Sequence, residues 1–296
     1  MRKLQFQGRV GADQLHRKNE TEVQFYGMSA GAKANEMFLA DWKNRVVRLF
    51  NMSTGKLNVL DEYQCPEKET MYNVAYIAHT DTLLIATSGV KGHIFRSFSR
   101  ADRNSEWHQC HSFYIEGNNT TKICSLSALS EIGKTMSETR LVFGVWGIST
   151  ELRVLAVDYL HTIQARTPIQ LPGVHYGFDA KLVGDETRLA VALCTPEYAV
   201  ALFRIAGDRA EELAKCRLRE AWRPLFYGHS LLVYVRNADG TRCMVQEFDT
   251  GGEGLKPRRE LLSGLTYSHD VCWCVLNGTL VAWNAEPKTL TTYSIL

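Results

Sequence analysis

The sequence predicts an all-β chain built from repeated four-stranded units. Three observations carry that expectation. Long helical patterns are nearly absent. Apolar or alternating runs of five to eight residues, separated by Gly, Asn, Asp, Ser and Thr turns, occupy most of the 296 residues. One unit also recurs: a strand ending in an aromatic residue, a polar turn, then a second alternating strand.

In chain order, residues 23–29, 37–42 and 45–51 read as strands. The Lys43-Asn44 turn joins the last two, because Asn accepts left-handed backbone angles and supplies a local side-chain hydrogen bond. The third run ends in Phe50, followed by a polar turn over 51–56 and a strand over 57–63. The unit returns with strands at 83–88 and 93–99, Phe98 as its aromatic and a following strand at 107–115. Residues 125–137 break the pattern, and a loop with some turn structure is expected there. Strands resume at 140–147 and 151–158, the latter a degenerate copy of the unit. Next come 188–195 and 199–206, the second carrying Phe203. Residues 209–222 have a helix-like content of Ala, Glu, Arg and Leu. Yet Cys216 and Leu218 alternate with Lys215, Arg217 and Arg219, which suits an edge strand. Residues 231–236, 243–249 (with Phe248) and 278–284 (a last copy, ending at Trp283) complete the series. The β-like ends, 4–10 and 289–296, are expected to complete one unit between them.

The spacing turns this series into an architecture. Phe50 to Phe98 is 48 residues, Phe203 to Phe248 is 45, and Phe50 to Trp283 is 233, five steps averaging about 47. The 105 residues from Phe98 to Phe203 hold two units and an insertion, assigned to 125–137. A period near 47 with four short strands per unit indicates a β-propeller. Six blades fit residues 1–296 as a single domain, with seven as the alternative count. No blade buries both faces alone, so stacking makes the core, and the terminal strands are expected to close the ring.

The unit at 38–57 resembles an NHL-type propeller repeat. Asp41, the Asn44-Arg45 pair, the apolar strand, Phe50 and the Gly55 turn fit that pattern, and a divergent WD40-like repeat is equally compatible. The resemblance implies a propeller and allows RNA binding on one face. It covers about twenty residues and transfers no activity.

Composition narrows the function classes. With 34 Lys+Arg against 32 Asp+Glu the net charge is +2, so no global pull toward nucleic acid or anionic membrane exists. The 45% hydrophobic content excludes a disordered chain. Gln5, Gln7 and Arg9 interrupt any secretory apolar core, and no run reaches a membrane span, so an intracellular soluble protein, cytoplasmic or nuclear, is expected. The eight cysteines are scattered without a Cys-x-x-Cys pair and read as reduced, buried hydrophobes.

Chemistry-bearing motifs are sparse. His269, Cys272 and Cys274 form the one dense soft-ligand cluster. A zinc site needs four ligands and no second pair is near, so buried packing is preferred and no metal or other cofactor is expected. Gly-x-Ser-x-Gly, His-Glu-x-x-His and phosphate-loop motifs are absent, and no enzyme activity is expected. Some six-bladed propellers are metal-dependent hydrolases with acidic channel ligands. Asp41, Asp179 and Asp270 are candidates for that role, with turn and cap carboxylates the preferred reading.

Lys256, Arg258 and Arg259 make the strongest basic cluster, placed on a loop between the fifth and sixth units. They are expected to be mostly solvated and are the candidate contact for phosphate or an acidic partner. The reading reached is a non-catalytic interaction module that binds a protein partner through a loop face. An RNA-binding NHL-like propeller is the alternative, and a metal-dependent propeller hydrolase is the second. No membrane contact and no small-molecule substrate are evident.

Overall fold

The computed structural model describes residues 4–11, 15, 22–53, 56–89, 92–102, 105–116, 126–145, 150–183, 186–236, 242–251, 254–266, 272–284 and 288–295. Among them every element is a β-strand, grouped into six four-stranded antiparallel sheets, the blades of a six-bladed β-propeller. The chain divides into two compact units, each assembled mainly from three sheets.

The first unit comprises Met1–Cys124, Val157–Gln164 and Ser268–Leu296. Its strands open with β1 (Leu4–Gly11). β2 (Phe25–Ala30), β3 (Glu36–Asp41), β4 (Val46–Ser53) and β5 (Lys56–Gln64) form one sheet in that order. β6 (Thr70–Ile77), β7 (Thr82–Ser88), β8 (Gly92–Ser99) and β9 (His108–Glu116) form the next. The second unit holds most of β10 (Leu126–Lys134), β11 (Glu138–Val145), β12 (Glu151–Asp158) and β13 (Ile163–Gln170). It also holds β14 (His175–Val183), β15 (Glu186–Leu193), β16 (Ala199–Ala206) and β17 (Arg209–Arg217), then β18 (Ala221–Tyr227), β19 (Ser230–Arg236), β20 (Arg242–Asp249) and β21 (Lys256–Thr266). The last sheet belongs to the first unit: β22 (Cys272–Leu276), β23 (Thr279–Asn284) and β24 (Thr289–Ile295), with β1 paired to β24 from Leu4↔Ile295 to Gly11↔Thr289. The two terminal strands therefore do complete one sheet.

Burial explains why these runs are strands. Middle strands are covered on both faces, so all seven residues of β7 are buried. A continuous apolar run suits that position. Outer strands such as β9 and β17 are mainly exposed and alternate instead. This is why residues 209–217 form a strand despite their helix-like composition.

The aromatic repeat has a structural counterpart. Phe50, Phe98, Phe203 and Phe248 all lie in the third strand of separate sheets and are buried. Each sits where the outer strand carries one extra residue: the partner steps are Asp61 to Val59, His111 to Gln109, Ala214 to Glu212 and Arg259 to Pro257. Such a bulge bends the outer strand and raises its twist. In the sheet containing the chain ends, Tyr293 holds that position, with the step from Gly8 to Phe6. Trp283 was the expected aromatic there. It lies instead in the second strand, paired with Cys272 and Leu290, so the last copy of the repeat is displaced to β24.

Three further expectations need correction. Residues 126–134 are the inner strand β10, not a loop. The left-handed residue in the β3–β4 turn is Arg45, at φ 56°, rather than Lys43 or Asn44. The basic segment with Lys256, Arg258 and Arg259 starts β21 rather than lying on a loop. Lys256 pairs with Asp249 and Pro257 with Phe248, a position that an outer strand leaves open to proline.

Candidate functional site

The repeat-signature residues form a clasp around one carboxylate. Asp41, at the end of β3, accepts the Lys43, Asn44 and Gln24 amides on Oδ1 at 3.0, 3.2 and 3.3 Å. Its Oδ2 accepts Asn44 Nδ2 at 2.7 Å and Arg48 Nη1 at 2.8 Å. Asn44 also donates to the Glu22 carbonyl, and the Arg45 guanidinium to the Glu67 carbonyl. Burial raises the Asp41 carboxyl above its ordinary value, against the opposing pull of Asn44, Gln24 and Arg48. Arg48, almost wholly buried, reaches Glu62 at 2.9 Å as well. With every described polar atom of Asp41 engaged, this carboxylate caps a turn. Gly55 lies outside the described residues.

The second sheet repeats part of the clasp. Arg96 stands two residues before Phe98, as Arg48 stands before Phe50, and binds Glu69 at 2.5 and 2.6 Å and Thr87 Oγ1 at 3.1 Å. Burial pushes the Glu69 carboxyl up, but hydrogen bonds from Arg96 and Thr87 outweigh it and leave it below its ordinary value.

The other polar candidates resolve into structural contacts. Asp179 Oδ2 accepts the Phe226 amide at 2.7 Å, tying β14 to β18. Cys272 and Cys274 face one apolar cluster with Phe25, Phe50 and Trp283, and burial pushes the Cys274 thiol up to about 12. His269 and Asp270 lie outside the described residues. Among the described residues no group of three or more His, Cys, Asp or Glu is arranged to hold a metal ion.

The basic cluster is matched by acids of its own sheet. Arg258 pairs with Asp249 at 2.5 Å, and Arg259 with Glu247 at 2.8 Å. The Gly251 amide and Arg258 hold the Asp249 carboxyl below its ordinary range. Arg217 lies on β17 of the preceding sheet and pairs with Glu197 at 2.5 Å. Two of the three basic residues expected to be mostly solvated thus form cross-strand ion pairs, and Arg258, itself the bulge residue, keeps a side chain 46% exposed.

Two features stand out that the sequence had not singled out. The first is apolar exposure at inner hairpins of the second unit. Met136, between β10 and β11, is 98% exposed; Leu182 and Val183, ending β14, are 46% and 44% exposed. Contacts place these hairpin tips at one end of neighbouring sheets. Thr187 Oγ1, in β15, donates to the Ile132 carbonyl in β10, and Lys181 Nζ donates to the Gly228 carbonyl after β18.

The second is a cavity of about 320 Å³ in the first unit, between the sheets β2–β5 and β6–β9. Phe38, Leu49, Leu83 and Ile85 give it an apolar floor. Tyr63, Phe98 and Trp107 add aromatic walls, and Glu62 and Glu106 supply carboxylates. Its residues come from positions 38 to 107, so no local motif announces it.

No protein-family model and no curated protein matches the sequence. Solved structures match the fold across almost the whole chain. A functionally unknown protein from Desulfotomaculum acetoxidans superposes with a TM-score of 0.62 at 8% identity, covering 97% of this chain and 95% of its own. A protein from Lactobacillus plantarum gives 0.59 at 14% identity, covering 93% and 85%. The WD40 domain of SCAP from fission yeast gives 0.54 at 10%, covering 97% and 69%. The class defined by blades and neighbours is the β-propeller, WD40 domains among its members. At these identities the likeness is one of fold.

Proposed function

We propose that this chain is a non-catalytic propeller module, NHL-like or WD40-like in its repeats, that holds a protein partner. The observation that carries the reading is the exposed apolar set Met136, Leu182 and Val183 at one end of neighbouring sheets. Large apolar side chains gathered on hairpin tips cost solubility and commonly mark a contact surface. Propellers bind through loops and tips while the stacked sheets stay constant. Asp41 caps a turn and Asp179 holds a backbone amide, which weighs against a hydrolytic role for these two carboxylates. Arg258 and Arg259 are paired with acids, which weighs against a polyanion contact at that cluster and so against the RNA reading.

The test replaces Met136 and Leu182 by Asp. Material purified on the wild-type and the doubly substituted chain is compared by quantitative mass spectrometry, with thermal unfolding as a control. Proteins retained by wild type and lost from the variant, at unchanged unfolding temperature, support the reading. An identical set on both chains removes this surface from the interface.

A further inference from the structure

We infer that Arg140, set among the exposed apolar tips of the second unit, anchors a carboxylate that the protein partner presents between apolar residues. The inference rests on the partner surface proposed above and adds the chemistry that this surface selects. Arg140 stands on β11 opposite Gly133 of β10, four residues after the exposed Met136. A Cβ at position 133 would fall 3.3 Å from its Nη2, 3.9 Å from its Nε and 3.9 Å from Thr187 Oγ1 of the next sheet, so the glycine leaves the room that the guanidinium occupies. Thr187 in turn bonds the Ile132 carbonyl and pairs with Leu182, which links Arg140 to the exposed end of β14. Arginine and apolar groups thus share one surface.

The fold does not complete this side chain. Its Nε is buried and meets no hydrogen-bond acceptor, while its Nη atoms keep contact with solvent. No carboxylate among the described residues pairs with it. Arg48 and Arg96, buried guanidinium groups of the first unit, each meet at least one. Glu138, near Arg140 on β11, pairs instead with Arg166 at 2.5 Å, and Glu186, beside Thr187, with Arg188 at 3.2 Å and Arg204 at 3.5 Å. A charge with one edge out of water and no counter-ion is costly, and such groups in native chains call for a bound species to complete them. A carboxylate at the Nη end does so with charge-assisted hydrogen bonds. Arginine in an apolar setting is also a frequent centre of binding energy in protein interfaces. A phosphate backbone, by contrast, is gripped by several cations. Lys134 is the only other cation between Leu126 and Val145, and Lys181 gives its ammonium to the Gly228 carbonyl.

The experiment titrates the protein by calorimetry with the peptides acetyl-Leu-Glu-Leu-amide and acetyl-Leu-Gln-Leu-amide, and with inorganic phosphate and oligouridylate. The Glu peptide is expected to bind one to one with a Kd of about 1 mM or tighter, and the Gln peptide at least about fivefold more weakly. In Arg140→Gln the two peptides should become equal, with the urea midpoint unchanged, because the fold loses no contact of the guanidinium. Met136→Ala combined with Leu182→Ala should weaken both peptides alike and leave their ratio as it was. Equal binding of the two peptides to wild type would overturn the carboxylate anchor while leaving the apolar surface standing. A peptide preference that survives with no effect of the alanine pair would instead remove the apolar surface and keep the anchor. Absence of saturable Glu-peptide binding up to about 10 mM would overturn the inference. So would phosphate or oligouridylate binding more tightly than the Glu peptide and being lost in Arg140→Gln, since that assigns the arginine to a polyanion. A marked fall of the urea midpoint in Arg140→Gln would reassign the side chain to the fold. Residues 184 and 185 lie outside the described residues, so Asp185→Asn is titrated as well. A Glu preference that appears only in that variant would show Arg140 already occupied by its own chain and overturn the anchor.

Discussion

His175 enters the second unit as the first residue of β14 with both ring nitrogens buried and, among the described residues, lacking a hydrogen-bond partner. The ring fits because residue 144 is glycine: a Cβ there would lie 2.5 Å from the ring atoms Cε1 and Nε2. Phe178 packs on it edge to face at 5.7 Å. Burial alone pushes the His175 imidazole down to about 4 from an ordinary 6.5. The folded state therefore stays neutral where the unfolded chain has taken up a proton. Stability is unaffected above pH 6.5, falls as the pH drops from 6.5 toward 4, and stops falling on this account below 4. The full loss is on the order of 3 kcal/mol. His175→Leu removes the charge without changing the carboxylates. Urea midpoints of the variant should decline less between pH 6.5 and 4 than those of wild type; parallel declines would mean that the native ring accepts a proton.

The third-strand aromatic and the outer-strand bulge opposite it are the repeating device of the elements. Phe248→Ala empties a buried site between sheets and should cost roughly 3–5 kcal/mol. Arg258→Ala, at the bulge residue beside it, removes an exposed ion pair and should cost less than about 1 kcal/mol. Chemical denaturation of the two variants checks this; similar losses would show that the bulge, not the buried ring, holds the outer strand. The aromatic signal was legible because it is one residue type at one spacing. Middle strands were legible too, since burial on both faces leaves an unbroken apolar run such as β15. Inner strands were the hard ones. β6, β14 and β18 each shift register near the start, around Tyr72, Tyr176 and Arg223-Pro224, so period-two alternation is broken within the strand. β10 has two such shifts, which made residues 125–137 read as a loop. The clasp was visible as Asp41, Asn44 and Arg45, but its partners Glu62 and Arg48 are fixed only by pairing across strands. The cavity left no trace in the sequence, because its lining comes from five strands and one loop and shares most of its residues with the apolar core.

At the scale of the whole chain, the decisive long-range contact is the pairing of β1 with β24, which joins residues almost three hundred positions apart. It runs from Leu4↔Ile295 to Gly11↔Thr289, with Gln7 Nε2 donating to Ser294 Oγ at 2.8 Å and Val10 packed on the cluster around Phe25 and Trp283. Without β1, the groups of β24 that it pairs would form an unprotected edge, a template for association with other chains. The net charge of +2 offers little repulsion against that association. Deletion of residues 1–11 is therefore expected to lower the unfolding temperature by more than about 5 °C and to produce concentration-dependent oligomers. Calorimetry and light scattering read both effects. A peptide spanning residues 1–13, added to the truncated chain, should reverse them by restoring the fourth strand, because binding to the native state alone stabilises it by mass action. An unchanged unfolding temperature and a monomeric truncated chain would show that three strands suffice for this sheet and that the cluster around Phe25 and Trp283 holds it without β1.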